Sequence, residues 1–167
     1  VHNFKLSFYN HIEMTSIVNR SANILNLSIE ESAAHMIGCS SRSTPRIANR
    51  ILRSVRDFAQ MNKETNICES RAKDTLKSLD IDDKGLDATD REILSTIIEK
   101  FAGGPVGLST LAAATAEEEQ TLEDVYEPYL LQLGFLKRTT QGREVTPLAY
   151  AHMGMKAPGG VVQEALL

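Results

Sequence analysis

Two groups of cations in this sequence are spaced to hold an anion. The first is Ser43-Thr44-Pro45-Arg46-Ile47-Ala48-Asn49-Arg50, with Arg53 following. Threonine is a good N-cap. Proline fits the first helical position, where its missing N–H would be unpaired anyway. The pattern therefore starts a helix at Pro45 and puts Arg46 in its first turn. A cation there opposes the helix dipole, at a cost of roughly a few tenths of a kcal/mol. A bound anion reverses the sign, because free N–H groups and the guanidinium would both face it. Arg50 and Arg53 continue opposite an apolar stripe of Ile47, Ile51, Val55, Phe58 and Ala59. The competing reading is a solvated basic face paired with Glu30, Glu31 or Asp57.

The second group is Lys137, Arg138 and Arg143, the only basic residues between Lys100 and Lys156. They flank Thr140-Gln141-Gly142, a turn signal between two short β-type runs, Phe135 to Thr139 and Arg143 to Thr146. On a projecting hairpin they would touch DNA phosphates or reach a groove. Equally, charge on an exposed hairpin protects its edge from pairing with another chain. The segment before the hairpin is acidic, with Glu117, Glu118, Glu119, Glu123, Asp124 and Glu127 and no Lys or Arg. Such a helix is repelled by a major groove. Any DNA contact would then fall to the hairpin and would not read sequence.

Other chemistry is poorly supported. Gly103-Gly104-Pro105-Val106-Gly107 lacks the Lys-Ser/Thr of a phosphate loop and reads as a turn. His2, His11, His35 and His152 are scattered, and Cys39 and Cys68 have no metal-ligand spacing. Reduced thiols of a cytosolic protein are expected. No metal site, nucleophile or acid–base carboxylate pair stands out.

The elements that must position these groups are almost all helical. Residues 11–26 carry Ile12, Ile17, Val18, Ile24 and Leu25 at helical spacing. Ser28-Ile29-Glu30-Glu31 has the capping-box pattern and predicts a helix to about Cys39. After the helix from Pro45, residues 69–80 predict a fourth, with Ala72, Leu76 and Leu79 inward. Lys84-Gly85 marks a boundary. Asp87 to Asp90 caps a helix with Ile93, Leu94, Ile97, Ile98 and Phe101 inward. A short helix covers Leu108 to Ala114. The next starts near Thr121, with Leu122, Val125, Tyr129, Leu130 and Leu133 inward, a kink at Pro128 and a stop at Gly134. Thr146-Pro147 opens a last helix to about Met153. A four-helix bundle is thus followed by three helices and a hairpin, the order of a winged helix. Val1 to Phe8 reads as a strand remnant, and the stretch from Ala157-Pro158-Gly159-Gly160 onward as a mobile tail.

The 167 residues, 42% of them hydrophobic, suffice for one domain or two small ones. Mean hydropathy is -0.20, and no apolar run approaches the roughly 20 residues of a membrane helix. The N-terminus has no signal-peptide layout and no initiator Met, as expected of a piece of a longer protein. The net charge of -4 divides unevenly: residues 1–82 hold 11 Lys/Arg and 9 Asp/Glu (+2), and residues 83–167 hold 7 and 13 (-6). An anion site must therefore be a local cluster.

These blocks resemble the RuvB family. Thr44-Pro45-Arg46-Ile47-Ala48-Asn49-Arg50 with Val55-Arg56-Asp57-Phe58-Ala59 looks like the family's lid helix. Gly103 to Leu108, Leu122 to Leu130 and Gly134-Phe135-Leu136 look like its winged helix. The match runs from about Phe4 to Gly154 and is specific because the blocks keep the family's spacing.

The resemblance implies a mainly α chain: a remnant of the AAA+ P-loop domain (1–8), an AAA+ small helical lid (9–82), a winged-helix DNA-binding domain (83–154) and a tail (155–167). It implies a cytoplasmic, homohexameric ATPase that drives branch migration of Holliday junctions in recombination, repair and the SOS response. ATP/ADP with Mg²⁺ is the implied cofactor, and duplex DNA, RuvA and RuvC are the implied partners. Arg46 would be the lid's sensor arginine and Tyr9 the hinge tyrosine beside the nucleotide. Arg138 and Arg143, helped by Lys137, would touch DNA. The P-loop, metal acids and arginine finger would precede Val1, leaving no catalytic residue in this stretch. A free-standing winged-helix transcription regulator is the alternative. Departures from the family pattern are Arg138-Thr139-Thr140-Gln141-Gly142-Arg143 for the usual Arg-Thr-Pro-Arg-Gly-Arg, Ser43 for Gly, and Lys5 for Arg.

Overall fold

The computed structural model describes residues 8–158. The strand expected over Val1 to Phe8 and the remnant of 1–8 lie, apart from an exposed Phe8, outside the described residues. So does the tail beyond Pro158; residues 155–158 carry no helix or strand. The chain divides into two compact units, at Asp87/Ala88.

The first unit is helical. α1 (His11–Ile24), α2 (Glu31–Cys39), α3 (Pro45–Met61) and α4 (Glu69–Ser78) close around Met14, Val18, Ile37, Ile51, Leu52 and Val55, all fully buried. α1 opens with a capping box that the sequence reading passed over. Asn10 Oδ1 accepts from the Glu13 N–H, and Glu13 Oε2 accepts from the Asn10 N–H. The α1–α2 crossing is close because Gly38 has no side chain: a Cβ there would stand 3.1 Å from the Thr15 nitrogen. α3 begins at Pro45 as expected, behind Arg42 (φ 54°) and Ser43 (φ 52°), both left-handed. Ser43 adopts this conformation although glycine is the residue that does so most readily.

Two expectations are corrected here. Ser28 caps no helix: Ser28–Ile29 forms β1, paired in parallel with β2 (Asn66–Ile67), and the Ser28 hydroxyl donates to Asn66 Oδ1 at 2.8 Å. The α2 N-cap is Glu30. Long-range pairing of the Ser28 backbone has overridden a local signal. Leu79, expected inward, lies past the end of α4 and is exposed.

The second unit has α5 (Ala88–Phe101), α6 (Leu108–Thr115), α7 (Glu119–Thr121), a π-helical turn (Leu122–Tyr126), α8 (Glu127–Gln132), the hairpin β3 (Leu136–Thr139) and β4 (Gly142–Val145), and α9 (Pro147–His152). Ile93, Leu94, Ile97 and Leu130 are at its core. The hairpin registers Lys137 with Glu144, Arg138 with Arg143 and Thr139 with Gly142. Val106 adds a one-residue third strand: its N–H donates to the Arg143 carbonyl at 3.0 Å and its carbonyl accepts from the Arg143 N–H at 2.8 Å. Only glycine fits at 142, with φ 141° and a virtual Cβ 2.5 Å from the Val106 carbonyl carbon.

The irregular helix corrects a further expectation. Instead of a plain kink at Pro128, the helix widens one turn earlier, and the Glu127 N–H reaches back to the Leu122 carbonyl. Pro128 cannot donate, and the extra residue absorbs the lost register. The shift of phase exposes Val125, which regular spacing places inward, and buries Glu127.

Candidate functional site

In the first unit, Arg46, Arg50 and Arg53 are exposed on α3. Among the described residues none of them has an ion pair. The acids that a bland reading would assign to them are engaged elsewhere. Glu31 accepts from Asn19 at 2.8 Å, Glu30 from Asn66 at 3.2 Å, and Asp57 is held by Arg56 at 2.7 Å. The Thr44 side chain does not cap α3; its hydroxyl donates to the Arg42 carbonyl at 3.0 Å. The first turn of α3 thus pairs an unneutralised Arg46 with N–H groups that no side chain caps, an arrangement that favours an anion. Tyr9 lies just before α1 and is exposed; no hydrogen bond joins it to Arg46. Cys39 and Cys68 are free thiols.

In the second unit, the hairpin's two arginines converge on an acid that the sequence reading assigned to a repelled surface. Glu127 is 4% exposed. Arg138 donates from Nε to Glu127 Oε1 at 2.6 Å and from Nη2 to Oε2 at 3.0 Å. Arg143 donates from Nε to the same Oε1 at 3.2 Å and from Nη2 to Oε2 at 3.0 Å. The carboxylate accepts two forks at once, the geometry for which guanidinium is suited. Glu123 accepts a third bond from Arg138 Nη2, at 3.0 Å. Lys137 pairs across the hairpin with Glu144 at 2.6 Å.

Burial separates the three cations. The side chains of Lys137 and Arg138 are 57% and 50% exposed, that of Arg143 only 15%. Burial pushes the Glu127 carboxyl up, but hydrogen bonds and charges from Arg138 and Arg143 outweigh it and hold the group below the ordinary glutamate range. In return, the hydrogen bonds that Arg138 donates to Glu127 raise the guanidinium above the usual arginine value. Arg138 and Arg143 are therefore brought together by Glu127, which the sequence reading missed. The available signal was an acid lying between the inward residues Leu122 and Tyr129, close in sequence to two arginines without another buried partner. No helix of the described residues is long and apolar enough to cross a membrane.

Family models match nearly the whole described chain: a RuvB AAA lid domain over residues 9–82 and a RuvB C-terminal winged helix domain over residues 83–154. The chain is 53% identical over 152 residues to the Holliday junction branch migration complex subunit RuvB of Dehalococcoides mccartyi, covering 91% of this chain and 44% of that protein. It is 52% identical over 153 residues to the subunit of the same name from Oleidesulfovibrio alaskensis, covering 92% of this chain and 48% of that protein. A solved structure of Thermotoga maritima RuvB, described as a Holliday junction branch migration motor, superposes with a TM-score of 0.88 at 49% identity, over 92% of this chain and 51% of that one. The chain spans about half the length of the relatives it matches. With a helical lid followed by a winged helix, each matched by its own model, the chain belongs to the RuvB family.

Proposed function

We propose that this chain is the lid and winged-helix part of a cytoplasmic, ATP-driven hexameric motor that migrates Holliday junctions together with RuvA, with RuvC as the resolving partner. The observation that carries the reading is Arg46, exposed in the first turn of α3 and without an ion pair among the described residues. That turn suits a nucleotide phosphate, and Arg46 would hold one there with Tyr9 bordering the nucleotide. ATP with Mg²⁺ supplies the free energy and the metal's charge when bound; this chain contributes the cation and the uncapped helix start. By itself the chain neither turns over ATP nor binds it tightly, since it has no Gly-rich Lys-Ser/Thr loop to cradle the other phosphates.

On the DNA side, the hairpin meets the duplex through phosphates. Lys137 and Arg138 are the exposed cations, and Arg143, largely buried on Glu127, orients the group from behind. A sequence-reading regulator fits less well. Glu123 and Glu127, in the π-helical turn and at the start of α8, point their carboxylates at the wing, and Glu119 to Gln132 include no Lys or Arg to read bases. The test is migration of a synthetic junction by the full-length protein with RuvA. ATP-dependent migration, indifferent to the sequence of the arms, is expected. Tight binding to one duplex without ATP-dependent migration would overturn the motor reading.

A further inference from the structure

The formal charges around the wing sum to zero: Arg138 and Arg143 against Glu123 and Glu127. A phosphate approaching this group meets no net positive charge, although the group contains both arginines assigned to DNA. The two acids differ in how firmly they hold. Glu127 is 4% exposed and receives four N–H bonds from two guanidiniums. Glu123 has a side chain 46% exposed and takes one bond, from an Arg138 Nη2 that already serves Glu127. Its distance to Arg143 is 3.9 Å. Opening a half-exposed pair costs little, whereas removing a buried carboxylate from two cations costs much more.

We infer that Glu123 is an internal stand-in for a DNA phosphate, seated on Arg138 and displaced by the duplex, while Glu127 stays in place as the residue that positions both guanidiniums. This rests on the reading that the wing meets duplex DNA. Arg138 Nη2 has two N–H groups, one given to Glu127 and one to Glu123, so a phosphate oxygen reaches that nitrogen only in place of the Glu123 oxygen, and the two are like-charged. They cannot both keep the short contact. Displacement leaves Arg138 bonded to Glu127 through Nε and Nη2, so its plane stays fixed as it accepts the phosphate. Glu123 thereby sets the affinity of the wing without touching DNA. It keeps each wing weak, as suits a motor that must release and re-grip the duplex.

The test uses full-length protein on duplexes of two unrelated sequences over a salt series. Glu123→Gln removes the competitor but not a DNA contact. Affinity should rise roughly two- to fivefold per engaged subunit, the range of an exposed ion pair. The slope of log affinity against log salt should stay unchanged, because the same phosphates are neutralised. Arg138→Gln should weaken binding and lower that slope by about 0.9 per engaged subunit. In the Arg138→Gln background, Glu123→Gln should change nothing. An equal gain in that background means general relief of negative charge and overturns the inference, as does wild-type affinity in Glu123→Gln while Arg138→Gln still weakens binding. If Arg138→Gln itself binds like wild type, the wing reading fails as well.

Discussion

Replacing Glu127 with glutamine removes one negative charge from a site that is 4% exposed and shared by two guanidiniums. The amide keeps one acceptor oxygen and turns an NH₂ toward the other cation. Of the four N–H bonds that end on Glu127, those to one oxygen are lost. Each charge-assisted bond is worth roughly 1.5–3 kcal/mol, but the neutral amide no longer carries the desolvation cost of a buried carboxylate. Arg138 can regain water on its half-exposed side; Arg143, 15% exposed, cannot. The expected net loss is about 2 kcal/mol, confined to the second unit. In a domain of this size each kcal/mol shifts the thermal midpoint by about 4–8 °C, so the drop should be about 8–16 °C. Hydrogen exchange read by mass spectrometry localises it. Amides of Leu122–Tyr126 and of both hairpin strands should exchange faster, while those of α1–α4 keep wild-type protection. Wild-type protection and midpoint throughout the second unit would refute the argument that Glu127 holds the wing.

The same carboxyl carries a pH prediction. Its folded value lies below the unfolded one, about 4.3, so between the two the folded state binds fewer protons. The stability it contributes is fully present above the unfolded value and is lost as pH falls through the folded value. Thermal midpoints taken from neutral pH to pH ~3 should therefore show wild type converging on Glu127→Gln as acid is added, and a constant gap would contradict this. Gly142→Ala should detach the hairpin from Val106, forfeiting two backbone hydrogen bonds at about 1 kcal/mol each and adding about 1–3 kcal/mol of backbone strain; slow exchange of the Val106 and Arg143 amides in that variant would count against it. Arg143→Ala should destabilise more than Arg138→Ala, because it deprives Glu127 of its more deeply buried cation. Equal or reversed midpoint losses by calorimetry would sink that ordering.

Much of this architecture was legible because its signals are local. Thr44-Pro45 starts α3, Gly142 turns the hairpin, and the apolar spacing of Ile93, Leu94 and Ile97 matches a regular helix. What escaped was set by distant partners or by broken periodicity. Ser28 follows a cap pattern but is claimed by Asn66, 38 residues away. Asn10-x-x-Glu13 was a readable capping box, which apolar spacing does not report. The π-helical turn adds one residue to a helix, which no fixed 3.6-residue period anticipates. Val125 and Glu127 consequently exchange the sides that the pattern assigns them. The wing cations were found from sequence as a cluster. Their pairing with Glu127 was not, because the neighbourhood of a buried acid follows from that same shift.

Under the proposed function, Arg46, which has no ion pair among the described residues, holds a nucleotide phosphate in an ATP-driven motor. The measurement that tests it most directly is ATP turnover on DNA by the full-length protein carrying Arg46→Ala, with the thermal midpoint taken on the same preparation. Arg46 is exposed and, among the described residues, has no ion pair to lose, so the stability read from the midpoint should stay within about 0.5 kcal/mol of wild type. Loss of one charge-assisted phosphate contact, worth roughly 1.5–3 kcal/mol, should lower turnover about 10- to 150-fold. A variant that hydrolyses ATP at the wild-type rate with an unchanged midpoint would return Arg46 to a solvated surface and contradict the account.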